Sequence, residues 1–326
     1  MTKVLLISDV HFKHNNSMES NVLFQTLQNL EDTYDFAVLA GDVLDTHERI
    51  DCQLMNRAYE LVRILKTKTR VYICVGNHDM INNQQFLTTN HWMNGMKEWY
   101  NVTIVDTPIM NDKFVFTPYV YPGRFVEALN TIRDWKSAYC IFAHQEIKGC
   151  KMGAFVSEEG DEWCLDYPHV ISGHIHERQR PQVNVFYPGS VLTHAFGGNA
   201  EEDQGLSIFT FTDRNVYSEK RISLGLSPKK TVHVKVGQAI KLKQLNPNTR
   251  IVLVGTPDQI AEHKNCKQSE IIKKRGAKLV YRIDNNNKQP TIGRFRNKNF
   301  LSILDNLVKN TEDIEMLKDY QCILSH

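Results

Sequence analysis

The sequence predicts an α/β fold in which strands feed loops that converge on one site. Three observations predict it. Short apolar, β-branched runs alternate with helical patterns through the first part of the chain. After about residue 100 the runs crowd together, which predicts a sheet-rich second part. Five of the runs end directly in a cluster of polar, metal-binding residue types.

The first run, VLLIS (residues 4–8), has the composition of a strand buried on both faces. Val22, Leu23, Leu27 and Leu30 follow at helical spacing. FAVLA (36–40) is a second strand, and Leu54, Ala58, Leu61, Val62 and Leu65 mark one face of a second helix. VYICV (71–75) is a third strand. Strand–helix–strand repetition builds layers around a sheet. The later runs are VTIV, FVFTPYV, YCIFA, HVIS, VNVFYP, LSIFTFT and VYSEKRISL. LGLSPKK (224–230) reads as a linker. Beyond it, TRIVLVG (249–255), a helical stretch near 257–275 and KLVYRID (278–284) predict a compact strand–helix–strand unit. Residues 285–299 are polar and basic and predict a loop; the last segments predict short amphipathic helices.

The bulk properties exclude several classes. A chain of 326 residues suits one large domain plus a smaller one. With 41% hydrophobic and 23% charged residues it has the makings of a soluble core. No apolar run approaches membrane-spanning length, and the first residues turn polar too soon for a signal peptide. The expectation is an intracellular protein, cytoplasmic or nucleoid-associated, with no membrane contact. Seven scattered cysteines without a CxxC argue against a disulfide framework or structural zinc, and predict reduced, mostly packed thiols. Charge is uneven. Residues 1–228 hold 20 Lys and Arg against 28 Asp and Glu, a net −8, whereas residues 229–326 hold 19 against 9, a net +10. A basic C-terminal section suits a polyanionic partner.

The polar clusters carry the chemistry. VLLIS leads into Asp9 and His11, FAVLA into Gly41 and Asp42, and VYICV into Gly76, Asn77, His78 and Asp79. YCIFA leads into His144, and HVIS into Gly173, His174 and His176. In open α/β sheets, sites form beyond the carboxyl ends of strands, so these loops are expected to converge. Carboxylate, amide oxygen and imidazole together suit Mn²⁺, Zn²⁺ or Fe²⁺ and not Ca²⁺. A pair of such ions binds phosphate, activates water and stabilises the charge of a displacement. Asp42 is the candidate to bridge the pair. The three glycines are expected to let the backbone turn sharply from strand to site. His174 and His176, two apart, are expected on one side of an extended strand end. His78 is expected to stay unligated, to approach the scissile phosphate, and to protonate the leaving oxygen or steady the transition state. Asp79 is the candidate to orient its ring.

DxH, GDxxD, GNHD, a lone histidine and GHxH, in this order, resemble the calcineurin-like metallophosphoesterases. The resemblance implies a four-layer α/β/β/α sandwich with a small α+β C-terminal cap, and two divalent ions, Mn²⁺ in the first place with Mg²⁺ as the other choice. It implies that Asp9, His11, Asp42 and His176 hold one ion, that Asp42, Asn77, His144 and His174 hold the other, and that His78 is the catalytic histidine. VGNHD and GDVLDTHER depart from the Ser/Thr protein phosphatase patterns. FAHQEI around His144, and NVFYPGS after GHxH, are similar to the SbcD or meiotic-recombination DNA repair nuclease branch, including its bacteriophage or viral versions. That branch's usual proline after PGS is Val191 here.

The branch implies a DNA exonuclease and endonuclease, a homodimer, and an SbcC-type ABC ATPase partner bound by the last helices. It divides the chain into a phosphoesterase domain (1–226), a DNA-capping domain (227–290) and a helical tail (291–326). Lys273, Lys274 and Arg275 in the helical stretch, and Arg294 and Arg296 in the basic loop, are the candidate DNA contacts. The alternative is a small-substrate phosphodiesterase or phosphatase of the same superfamily.

Overall fold

The computed structural model describes residues 1–284 apart from 48, 154, 195, 197–203, 239 and 241–244. The chain opens with β1 (Thr2–Ile7) and passes through α1 (Ser17–Gln28) to β2 (Phe36–Ala40). It continues through α2 (Cys52–Lys66) to β3 (Arg70–Cys74) and β4 (Val102–Val105), all parallel to β1. A second sheet follows. It contains β5 (Ile109–Asn111) and β6 (Phe114–Phe116), then, after α3 (Phe125–Leu129), β7 (Cys140–His144). A small hairpin of β8 (Lys151–Met152) and β9 (Phe155–Val156) precedes β10 (His169–Gly173), β11 (Gln179–Gln182) and β12 (Val185–Tyr187). The second sheet runs β11-β12-β10-β7-β6-β5. The chain then returns to the first sheet with β13 (Gly205–Asp213) and β14 (Val216–Ser223), giving β14-β13-β1-β2-β3-β4.

Alternation along the strands makes the layers. Val4 and Leu6 of β1 and Val38 and Ala40 of β2 point toward the second sheet, into a core with Phe116, Phe142 and Ile171. Leu5, Ile7, Ala37 and Leu39 point the other way, onto Leu23, Leu27, Leu61 and Leu65 of α1 and α2. On the outer face of the second sheet, Ile141, Ala143 and Val170 pack under Phe125, Trp135 and Trp163. The order is helix, sheet, sheet, helix, the four-layer sandwich. α2 starts where Asp51 accepts hydrogen bonds from the backbone N–H of Gln53 and Leu54.

The C-terminal unit is a parallel sheet in the order β15-β16-β17: β15 (Lys230–Lys235), β16 (Thr249–Gly255) and β17 (Lys278–Ile283). Between β16 and β17 the expected single helical stretch is two helices, α4 (Pro257–Lys264) and α5 (Lys267–Lys274), broken at Asn265 and Cys266. Thr256 caps α4 by accepting from the Gln259 N–H, with Pro257 in the first turn. β15 was not expected, because KTVHVK has only two apolar residues and begins inside the Pro-Lys-Lys run that reads as linker. The expected basic loop, with Arg294 and Arg296, and the expected tail helices lie outside the described residues. Cys74, Cys140 and Cys150 are buried, whereas Cys52 and Cys164 are exposed. Among the described residues no helix is long and apolar enough to cross a membrane.

Candidate metal centre

Every cluster singled out in the sequence lies at or just beyond the carboxyl end of a strand: β1, β2, β3, β7 and β10. The first three belong to one sheet and the last two to the other. Gly41, at φ +86°, makes the sharp turn expected of it. Gly76 and Gly173 do not have positive φ; their reason is space. A Cβ on Gly76 would strike the Asp42 backbone and carboxylate, and one on Gly173 would strike the Ala40 carbonyl. The left-handed backbone is instead adopted by Asp9, His11, Asp42 and His174 themselves. Such residues cost of order 1–3 kcal/mol each. Phe114, Phe116, Phe142, Phe209 and Phe211 are buried between the sheets, at roughly 1.5–3 kcal/mol per ring, and offset that strain.

Two groups of ligand atoms result. Atoms of Asp9, His11 and His176 lie within 4.8 Å of one another, and so do atoms of Asp42, His144 and His174. His174 and His176 therefore do not share one side: β10 ends at Gly173, and the positive φ of His174 sends the two rings to different groups. Asp42 joins the groups. Its Oδ2 lies 3.4 Å from His11 Nε2 and 3.2 Å from His144 Nε2. Asn77 Oδ1 lies 3.0 Å from both His144 Nε2 and His174 Nδ1.

The donor set fits a pair of cations. His144 Nδ1 donates to the Ala40 carbonyl at 2.7 Å, which leaves Nε2 as a lone pair in the neutral ring. That lone pair faces the Asp42 and Asn77 oxygens, which are also lone pairs. His11 Nε2 and His176 Nε2 face each other at 3.1 Å. Asp9 Oδ2 is buried with no hydrogen-bond donor among the described residues. Acceptors turned on acceptors need positive charge between them. In the metal-free chain a proton supplies it. Burial alone would lower the His144 imidazole, but the Asp42 carboxylate overrides it and pushes it up to about 9. Burial would raise Asp42, but His144, with His11 and His78, holds it well below the usual carboxylate range. Divalent ions at the same places would satisfy these atoms without protons.

His78 stands apart from both groups. Its Nδ1 donates to the Asp45 carbonyl at 2.8 Å, and its ring stacks on His47 with centroids 4.6 Å apart. Its backbone N–H donates to Asp42 Oδ1 at 2.9 Å, which ties it to the bridging carboxylate. Burial keeps its imidazole below the ordinary value. Asp79 does not orient this ring. It accepts from the Val43, Leu44 and Gly76 backbone and, at 2.9 Å, from Trp92 Nε1, so it braces the Asp42 and Asn77 loops. Burial, with the nearby Asp42 charge, raises its carboxyl to about 6.

The reading of the sequence missed Asp45 and His194. Asp45 Oδ1 lies 3.1 Å from His11 Nδ1 and 2.7 Å from Lys13 Nζ. Atoms of His11, Asp45 and His78 also approach within 4.8 Å, but Asp45 meets His11 on the ring edge turned away from Asp42. The second Asp of GDxxD was the available signal. His194 Nε2 donates to the Asp9 carbonyl at 2.6 Å, and its ring meets those of His11 and His176. Only its place shortly after PGS could have pointed to it.

The centre opens into a cavity of about 470 Å³ lined by Asp42, Asn77, His78, His174, His176 and His194. Lys151, Met152, Phe196 and Lys229 also line it. Lys273, Lys274 and Arg275, the candidate contacts at the end of α5, are exposed, and none of the three lines this cavity.

The calcineurin-like phosphoesterase family model matches residues 2–178, the span that supplies all seven ligand candidates. The chain belongs to this family. This calcineurin-like phosphoesterase has viral relatives. It is 44% identical over 279 residues to “Putative phosphoesterase 244L” of Invertebrate iridescent virus 6, covering 81% of this chain and 98% of the relative. It is 38% identical over 329 residues to “Putative phosphoesterase 078R” of Invertebrate iridescent virus 3, covering 96% of this chain and 94% of the relative. Among solved structures, a Vps29 single mutant from Entamoeba histolytica aligns with 68% of this chain and 98% of its own length, at 15% identity and a TM-score of 0.32. The calcineurin-like phosphoesterase is thus a hydrolase of phosphate esters, in a family that uses divalent metals.

Proposed function

We propose that this phosphoesterase is a Mn²⁺-dependent DNA nuclease, the nuclease subunit of an SbcCD-like repair complex, acting as a homodimer with an ABC ATPase. The observation that carries the nucleic-acid reading is where the basic C-terminal unit attaches. Lys229, just before β15, lines the cavity and donates to the Thr193 carbonyl at 2.6 Å. Arg250 of β16 donates to the carbonyl of Phe196, another lining residue, at 3.0 Å. The segment of net charge +10 thus begins at the mouth of the catalytic cavity. A small phosphate ester gains nothing from such a neighbour, whereas a polyanion gains most of its non-specific affinity from Lys and Arg contacts.

Two divalent ions held by the seven ligands would supply Lewis-acid charge at the phosphoryl oxygens and an activated water. The chain's own residues do the rest. Asp9 and Asp42 would hold the cations, with Asp42 standing between the two ligand groups. The Asp45 carbonyl holds the His78 ring so that Nε2 is turned from it; Nε2 makes no hydrogen bond among the described residues. An anionic phosphodiester in the cavity favours the imidazolium form. The His78 proton passes to the leaving oxygen as its P–O bond breaks and the water oxygen bonds phosphorus.

The test is release of nucleotides from end-labelled duplex and hairpin DNA with Mn²⁺ or Mg²⁺, beside hydrolysis of a chromogenic small phosphodiester. Asp9→Ala is the control. Mn²⁺-dependent DNA cleavage that Asp9→Ala abolishes supports the proposal. Turnover of the small diester with DNA left intact overturns it.

A further inference from the structure

The C-terminal sheet has two unlike faces. α4 and α5 cover one, over Val234, Ile251, Leu253, Leu279 and Tyr281, with Ile272 of α5 fully buried there. Strand alternation places the intervening residues on the other face. Register sorts them into three rows. Thr231, Arg250 and Lys278 form the first row; His233, Val252 and Val280 the second; Lys235, Val254 and Arg282 the third. Four cations thus occupy the two outer rows, and valines floor the row between. Lys235, Lys278, Arg282 and His233 are exposed, and Arg250 is half-buried. Within the three strands no acidic residue shares this face; Asp284, two residues after Arg282, stands just past its edge, and no described ion pair engages the four cations. The outer rows stand four residues apart, roughly 13 Å at strand rise.

One corner of this face is tied to the catalytic cavity. Arg250 makes the Phe196 contact and also lies 5.3 Å over that ring. The face therefore begins beside a residue of the cavity lining and carries charge of one sign.

We infer that the uncovered face of the C-terminal sheet, through Lys235, Arg250, Lys278 and Arg282, binds the phosphodiester backbone of the nucleic-acid substrate and leads it to the cavity. This rests on the nuclease reading and assigns the contact to the sheet, whereas the sequence reading placed it on Lys273, Lys274 and Arg275 of the helical stretch and on Arg294 and Arg296 of the basic loop. An isolated phosphate ester meets one cation here; a polymer meets both rows.

Two charge-matched variants separate the faces. Lys235→Glu, Lys278→Glu and Arg282→Glu together reverse the sheet face. Lys267→Glu, Lys273→Glu and Lys274→Glu reverse the helical layer. Both are made on a His78→Asn background, so that DNA is held uncut, and duplex affinity is measured across a salt series. Three lost phosphate contacts are expected to flatten the slope of log affinity against log salt by about 2.7 in the sheet variant. The helical variant is expected to lose less than a third of that. Thermal midpoints within a few degrees of the parent show that both variants fold. An equal loss in the two variants, or a larger one in the helical variant, overturns the assignment while leaving DNA cleavage by the parent chain as the separate test of the nuclease reading. A parent that neither binds nor cuts DNA overturns both.

Discussion

His78 is oriented from outside the ligand groups, by a backbone carbonyl, and contacts the bridging carboxylate only through its own N–H. Its side chain makes no hydrogen bond to a ligand candidate and meets only the edge of the His11 ring, at 4.8 Å between centroids, so it can be changed without removing a ligand. His78→Asn is expected to lower turnover of a phosphodiester about 10²–10⁴-fold, the usual contribution of a positioned proton donor. Bound metal, measured by atomic emission on the desalted protein, is expected to stay at the parent value. Metal loss in this variant would place His78 among the ligands instead. Asp42 behaves oppositely, because one of its oxygens faces imidazoles of both groups. Asp42→Asn is expected to lower both metal content and turnover. Retention of full metal content would show that the two groups do not share this carboxylate.

At the scale of elements, the strand ends bring backbones too close for side chains. Gly173→Ala puts a methyl against the Ala40 carbonyl across two sheets, and a backbone atom cannot swing aside as a side chain does. Overpacking of this kind costs about 1–3 kcal/mol, and Gly95→Ala, which meets open space, serves as the control. Denaturant midpoints should fall for Gly173→Ala and hold for Gly95→Ala; equal midpoints would refute the steric reading. That glycine also illustrates what the sequence discloses. Its position before His174 was legible, because a strand run ended there, but its reason was not, since the carbonyl it admits lies in another sheet. Likewise β1, β2, β3, β7 and β10 were legible as continuous apolar runs, the mark of strands buried on both faces. β15 was not, because its outward residues, Thr231, His233 and Lys235, are polar and break the apolar run. The divergence of His174 and His176 depends on one dihedral, which spacing cannot reveal. The bracing role of Asp79 depends on Trp92, thirteen residues away in sequence and brought back by the fold.

For the whole molecule, the centre is a joint between the two sheets. Asp9, His11, Asp42 and Asn77 come from loops of the first, and His144, His174 and His176 from the second. Cations held there, binding the native state in preference to the unfolded chain, would stabilise it by about 2.7 kcal/mol at a hundredfold excess over the dissociation constant. Chelation should therefore lower the thermal midpoint of the entire sandwich in one transition. The size of the effect depends on pH in a definite direction. In the metal-free chain the His144 imidazole is raised from 6.5 to about 9 by its carboxylate neighbours, after burial has worked against it. A raised imidazole contributes its full stabilisation below pH 6.5 and loses it as pH climbs through 9, a change on the order of 3 kcal/mol. Asp42 is held low and contributes above the ordinary carboxylate range, so it stays ionised throughout this window. Metal ions compete with that same proton and bind better as it leaves. Between pH 6.5 and 9 the midpoint of the chelated protein is expected to fall while the increment on adding Mn²⁺ grows. Differential scanning calorimetry with EDTA and with Mn²⁺ at matched pH measures both. An increment that shrinks as pH rises would mean that the ions do not occupy the place of the His144 proton.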